Sequence, residues 1–147
     1  VDISKIEPGA MLVAEWRGKP VYVTRRTPET LGLLESLNGD LKDPLNTNKA
    51  QQPAYADNLH RSRDPELIVV LGVCTHLGCA PKYFPEVKPE AFDANWKGGW
   101  YCPCHGSKFD LSGRVFNGSP AADNLVIPPY SYESDNVVVV GVDEENA

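Results

Sequence analysis

Cys74-Thr75-His76-Leu77-Gly78-Cys79 and Cys102-Pro103-Cys104-His105-Gly106-Ser107 hold all four cysteines of the chain and two of its three histidines. Such a concentration in two short boxes asks for one shared site. A soft or borderline metal needs thiolates and neutral imidazoles converging from at least two segments, and the boxes supply C-x-H and C-x-x-H halves. Four ligands suffice, which leaves one cysteine over in each box. The equal leftovers suggest a disulfide between the boxes, holding the two ligand loops at a fixed separation. Residue chemistry alone leaves open which cysteine of each box binds metal, because Cys102 and Cys104 both stand beside His105.

The chain around the boxes reads as strands and turns. Leu67 to Leu71 is a continuous apolar run ending at Gly72, a buried strand that delivers the first box as a loop. Gly99 to Cys102 is a strand leading into the second box. Between them, residues 80–98 form a long segment with three prolines and four aromatics. Asp110 to Arg114 reads as a hairpin turn with Gly113 at positive φ. Upstream, Met11 to Trp16 and Pro20 to Arg26 make a hairpin across Arg17-Gly18-Lys19. Thr27 as cap and Pro28 in the first turn announce one short helix through Leu31, Leu34 and Leu37, with Gly39 beyond its end and Gly32 interrupting it. Residues 40–64 are polar and aperiodic, a long surface loop or insertion in which His60 is an ordinary surface or capping histidine. Val137 to Val142 gives a closing strand, followed by a solvated acidic tail at Asp143-Glu144-Glu145.

These elements fit a single domain of 147 residues, all-β and mainly an antiparallel β-sandwich with one short helix. A net charge of -6 without a Lys/Arg cluster argues against nucleic acid and suits a basic partner. The sequence contains no apolar run of about eighteen residues, the length a membrane-spanning helix needs.

Both boxes resemble the cluster-binding boxes of the Rieske iron–sulfur proteins, in particular those of cytochrome bc1 (quinol:cytochrome c reductase) complexes. Trp16-Arg17-Gly18-Lys19-Pro20-Val21 is similar to the early ectodomain of the same group. The resemblance implies a Rieske-type fold, with a base domain at 1–72 and 125–147 and a cluster-binding subdomain at 73–124. It implies a [2Fe-2S] cluster with Cys74 and Cys102 on one iron, His76 and His105 on the other, and a disulfide between Cys79 and Cys104. Ser107 matches the serine whose hydroxyl donates to a cluster sulfur. Where many relatives carry a second donor, a tyrosine, this chain has Phe109. Leu77 matches an exposed apolar residue that packs against the quinone pocket. Residues 118–125 resemble the proline loop that covers the cluster, with Pro120 kept and Ala122 in place of a second proline.

Two neutral imidazoles in place of two thiolates leave an oxidised cluster uncharged, whereas four thiolates would make it a dianion. An uncharged centre accepts an electron more readily, and the added charge raises the proton affinity of the bound imidazoles, so His76 or His105 is expected to take the quinol proton. The implied function is that of a mobile one-electron carrier between quinol at cytochrome b and cytochrome c1, within a dimeric complex. Its place is an energy-conserving inner membrane, with the ectodomain on the periplasmic side and an N-terminal membrane anchor and hinge ahead of Val1. A cross-box disulfide suits that oxidising compartment. Competing readings keep the boxes and change the role: a Rieske ferredoxin, the small subunit of an oxygenase or arsenite oxidase, or a structural Cys2His2 zinc module. Oxygenase-type boxes normally lack the counterparts of Cys79 and Cys104.

Overall fold

A computed structural model describes residues 1–142; the acidic tail expected from Asp143 onward lies outside them. The N-terminal hairpin pairs β1 (Met11–Trp16) with β2 (Lys19–Arg25), from Met11 opposite Thr24 to Trp16 opposite Lys19. Its loop is the two residues Arg17 and Gly18, with φ of 53° and 75°. Two successive left-handed residues match the strand twist, and the Arg17 guanidinium lies over the Trp16 ring. β3 (Leu67–Leu71) pairs antiparallel on the other side of β2, giving the order β1-β2-β3. All five β3 side chains are buried, as its unbroken apolar run requires.

The second sheet is assembled around the boxes. β4 (Lys82–Phe84), β5 (Gly99–Tyr101) and β6 (Lys108–Phe109) pair in that order, all antiparallel. The second box is therefore the loop between β5 and β6, and the first box directly follows β3. Gly99 is required by this pairing, since a Cβ there would stand 1.9 Å from the Phe109 carbonyl oxygen. A third pair, β7 (Tyr130–Ser134) and β8 (Val137–Val140), closes the chain. This strand stops at Val140, two residues short of expectation, because Gly141 turns at φ 96° to clear the Trp16 ring. One apolar cluster runs through the molecule, from Val21, Val23 and β3 to Trp100, Phe109, Leu125, Tyr130 and Val138. Cys74 and Cys102 belong to it.

Helix α1 (Pro28–Leu33) has the expected cap, with Thr27 Oγ1 accepting from the Thr30 N–H and Thr30 Oγ1 accepting from the Thr27 N–H. It is shorter than expected: from Glu35 to Asp40 the chain tightens into a 3₁₀ turn, which buries Leu37. Ser36 donates its hydroxyl back to the Leu33 carbonyl at 2.6 Å, and local bonding by short polar side chains competes with an α-helical ladder.

Residues 40–64 correct the expectation of a surface loop. Short 3₁₀ turns at Lys49–Gln51 and Ala54–Ala56 fold this strap against the body, and Leu41, Asn46, Gln52, Ala56, Arg61 and Ser62 are buried. Polar side chains go inside here because partners await them. Asn46 Nδ2 donates to the Asn58 carbonyl, and Gln52 Oε1 accepts from the Arg61 guanidinium. His60 is half-buried, with its carbonyl oxygen accepting from Arg26 Nη1 at 2.8 Å.

Three buried guanidiniums, those of Arg26, Arg61 and Arg114, converge on the turn at 110–114 that follows β6. Arg26 Nη1 donates to the Leu111 carbonyl and Ser112 Oγ, and Arg61 Nη1 to the Ser112 carbonyl. Arg114 pairs with Asp110 at 2.8 Å, both side chains fully enclosed. Burial pushes Arg26 and Arg61 down to about 10, still charged at neutral pH. Gly113 takes φ 72°, as its place in the turn predicts.

Candidate metal centre

Each box is bent by the same two backbone hydrogen bonds. In the first, the Cys74 N–H donates to the Cys79 carbonyl (2.7 Å) and the Gly78 N–H to the Cys74 carbonyl (2.9 Å). In the second, the Cys102 N–H donates to the Ser107 carbonyl (2.8 Å) and the Gly106 N–H to the Cys102 carbonyl (2.9 Å). Gly78 and Gly106 turn at φ 86° and 85°, which a side chain would resist. In this shared frame Cys74 matches Cys102, His76 matches Cys104, and Cys79 matches Ser107. The sequence reading found no internal repeat; the spacing C-x-x-x-G, present in both boxes, is the signal that could have revealed this one.

Cys79 and Cys104 form a disulfide across the boxes, with Cα atoms 6.5 Å apart. The free cysteines are Cys74 and Cys102, exposed by only 3% and 2%. The sulfurs of Cys79, Cys102 and Cys104 all lie within 4.8 Å of one another, but those of Cys79 and Cys104 are bonded to each other and neither is a thiolate. That trio therefore contributes Cys102 alone. Burial pushes the Cys102 thiol above the ordinary thiol range and the adjacent Cys74 thiol adds to this, while the N–H groups of Cys104 and His105 act against it. The Cys102 thiol therefore holds its proton until a cation replaces it, and those two N–H groups are already aimed at the sulfur. His76 and His105 are exposed, their rings edge to face with centroids 4.9 Å apart. The donor set fits a centre with buried sulfur on one side and exposed imidazole on the other. Leu77, next to His76 in the chain, is 68% exposed, so it is not a core residue.

Ser107 is buried, and its Oγ accepts from the Ala121 N–H at 3.0 Å. Ala121 belongs to the loop 118–124, where Pro120 is exposed and Ala121 fully enclosed. Thr75 donates its hydroxyl to the Asp123 carbonyl, tying the first box to the same loop. From the strap, Lys42 Nζ donates to the Ser119 and Ala121 carbonyls, Asn48 Nδ2 to Asp123 Oδ1, and Gln51 Nε2 to the Asn124 carbonyl. The three strap residues Lys42, Asn48 and Gln51 were not singled out by the sequence reading, because none lies near a box and nothing in their spacing marks them.

Fold and loops together define an iron–sulfur domain: the chain belongs to the Rieske [2Fe-2S] domain family, whose model matches residues 38–131. Over 146 residues it is 51% identical to the ubiquinol-cytochrome c reductase iron-sulfur subunit of Allochromatium vinosum, covering 99% of this chain and 70% of that protein. It is 46% identical over 142 residues to the mitochondrial cytochrome b-c1 complex subunit Rieske-3 of Nicotiana tabacum, covering 96% of this chain and 45% of the plant protein. The chain thus spans about half the length of such plant relatives. Among solved structures, a chain of a hyperthermophilic respiratory Complex III matches with a TM-score of 0.57 and 26% identity, over 95% of this chain and 71% of that one. The family's cofactor is the [2Fe-2S] cluster.

Proposed function

We propose that Cys74 and Cys102 hold one iron of the cluster and His76 and His105 the other, and that the chain is the electron-transfer subunit of a quinol:cytochrome c reductase. The observation that carries this reading is the arrangement of two buried free thiols and two exposed, touching imidazoles on loops joined by a disulfide. When bound, the cluster supplies a one-electron acceptor of low net charge. Around it, Cys74 and Cys102 keep the sulfur side within the apolar core, and the loop 118–124 closes over Ser107. The imidazoles of His76 and His105 face outward, and a ring whose inner nitrogen is engaged and whose outer nitrogen has given up its proton would accept the quinol hydroxyl proton at that outer nitrogen. His76, Leu77, Gly78, Pro103, Cys104 and His105 are all exposed, so a substrate at the imidazole edge would be enclosed by a second protein.

That protein is cytochrome b, with Leu77 packing beside the quinol, and the electron leaves to cytochrome c1 within a dimeric complex. The support is the naming of the relatives as ubiquinol-cytochrome c reductase, cytochrome b-c1 complex and respiratory Complex III proteins. In this reading residues 73–124 act as the cluster-binding subdomain on a base of 1–72 and 125–147. No helix among the described residues is long and apolar enough to cross a membrane. In this reading the domain works at the energy-conserving inner membrane, on its periplasmic side.

Iron and acid-labile sulfide analysis with electron paramagnetic resonance tests the ligand set. The reading expects equal iron and sulfide, a signal in the reduced state, and its loss or alteration in His105→Ser. Colourless protein containing zinc, or a signal indifferent to His105, would refute it.

A further inference from the structure

Of the strap 40–64 side chains that reach the covering loop, Lys42 is the one whose ammonium group bonds the stretch Ser119 to Ala121 beside Ser107. Its start is locked in register with the chain entering that loop: the Lys42 N–H donates to the Val115 carbonyl at 3.0 Å and the Asn117 N–H to the Asp40 carbonyl at 2.8 Å. Leu41 bridges Phe116 between them. So placed, Lys42 Nζ donates to the Ser119 carbonyl at 2.5 Å and the Ala121 carbonyl at 2.7 Å. Those carbonyls flank Pro120, and the same short segment offers the Ala121 N–H and the Ser119 hydroxyl to the chain that leaves the second box. The Ala121 N–H donates to Ser107 Oγ, and Ser119 Oγ accepts from the Lys108 N–H.

We propose that Lys42 is a positioning residue for the metal centre: by clamping the carbonyls of Ser119 and Ala121 it holds the Ala121 N–H on Ser107 Oγ, and so keeps the Ser107 hydroxyl proton directed to the cluster. The step from loop to hydroxyl follows from hydrogen-bond capacity. A hydroxyl has one proton and two acceptor sites. With Ala121 donating to the oxygen, the proton is left for another acceptor. A loop released from Lys42 can withdraw the Ala121 N–H and offer Ser107 its carbonyls instead, turning the proton away. The proposal rests on the reading of Ser107 as a donor to the cluster, and deepens it by naming what sets that donor's direction.

The test compares Lys42→Met with Lys49→Met, which removes the same charge from the same strap where the side chain pairs only with Asp57 on the surface. Two readouts are taken. Amide hydrogen exchange of Ala121, measured with and without the cluster, is expected to quicken by about tenfold or more in Lys42→Met, the effect of losing a charge-assisted hydrogen bond, and to stay unchanged in Lys49→Met. The midpoint potential of the loaded protein is expected to fall in Lys42→Met, and the same substitution made on a Ser107→Ala background is expected to leave it unmoved. Unchanged Ala121 exchange would overturn the clamp. A fall in potential that persists undiminished without the Ser107 hydroxyl would overturn the coupling, because the lysine would then act by its charge alone. Failure of the chain to take up a cluster at all would refute the site reading itself, while the exchange of Ala121 in the cluster-free chain still decides the clamp.

Discussion

Phe109 follows Ser107 by two positions, and side chains at that spacing share a face as the chain enters β6. Ser107 is buried beside the second box, so a hydroxyl placed on the Phe109 ring would come to the same side of the site. Phe109→Tyr is predicted to raise the midpoint potential by adding a second donor, and where that hydroxyl donates to a ligand sulfur the stability change stays within about 1–2 kcal/mol. Equal potentials for the two proteins would show that the ring does not reach the cluster. His60 supplies a pH dependence of folding. Burial, and then the charges of Arg26 and Arg114, hold its imidazole below the usual histidine value. The unfolded chain therefore binds a proton at higher pH than the folded one. The contribution of His60 is complete above the unfolded value, near 6.5, and is lost as the pH falls from there toward its depressed folded value. Denaturant titrations at neutral and mildly acid pH should show this decline in the natural chain and a smaller one in His60→Gln.

At the scale of elements, the 110–114 turn is what the two sheets and the strap share. It leaves β6, accepts from Arg26 and Arg61, and contains the enclosed pair of Asp110 and Arg114. Arg114 Nη2 also donates to the Leu34 carbonyl and Nη1 to Asn38 Oδ1, which fastens the end of α1 and the 3₁₀ turn to the back of the site. Arg114→Met is predicted to destabilise the chain by about 3–5 kcal/mol, because it leaves the Asp110 carboxylate buried without its countercharge. Thermal or denaturant unfolding measures this, and a loss under about 1 kcal/mol would mean that water reaches Asp110. The hairpin of β1 and β2, the capped helix and β3 were legible in the sequence, since turn residues, a cap and a continuous apolar run each act locally. The strap was not. Its Asn46, Gln52 and Arg61 look like solvent-facing residues until the carbonyls they satisfy are in place, and those carbonyls come from distant parts of the chain or from turns the strap itself makes.

For the molecule as a whole, the two boxes announced the ligand types, and resemblance paired the disulfide, because every residue involved lies in or next to a box. What holds those loops is tertiary. Lys42, Asn48 and Gln51 fix the covering loop from a segment with no motif of its own, and no periodicity in the sequence connects them to the boxes. The free thiols of Cys74 and Cys102 are sunk in a core that runs through all three sheets and the imidazoles stand at an exposed edge, so in the proposed reading electron and proton arrive at one place. The most direct measurement of that claim is the midpoint potential of the cluster-loaded protein, titrated from neutral to strongly alkaline pH. Imidazole ligands that take up a proton with the electron predict a potential that falls steadily as the pH rises through their oxidised-state titration; a potential that stays level across the whole range would contradict the account.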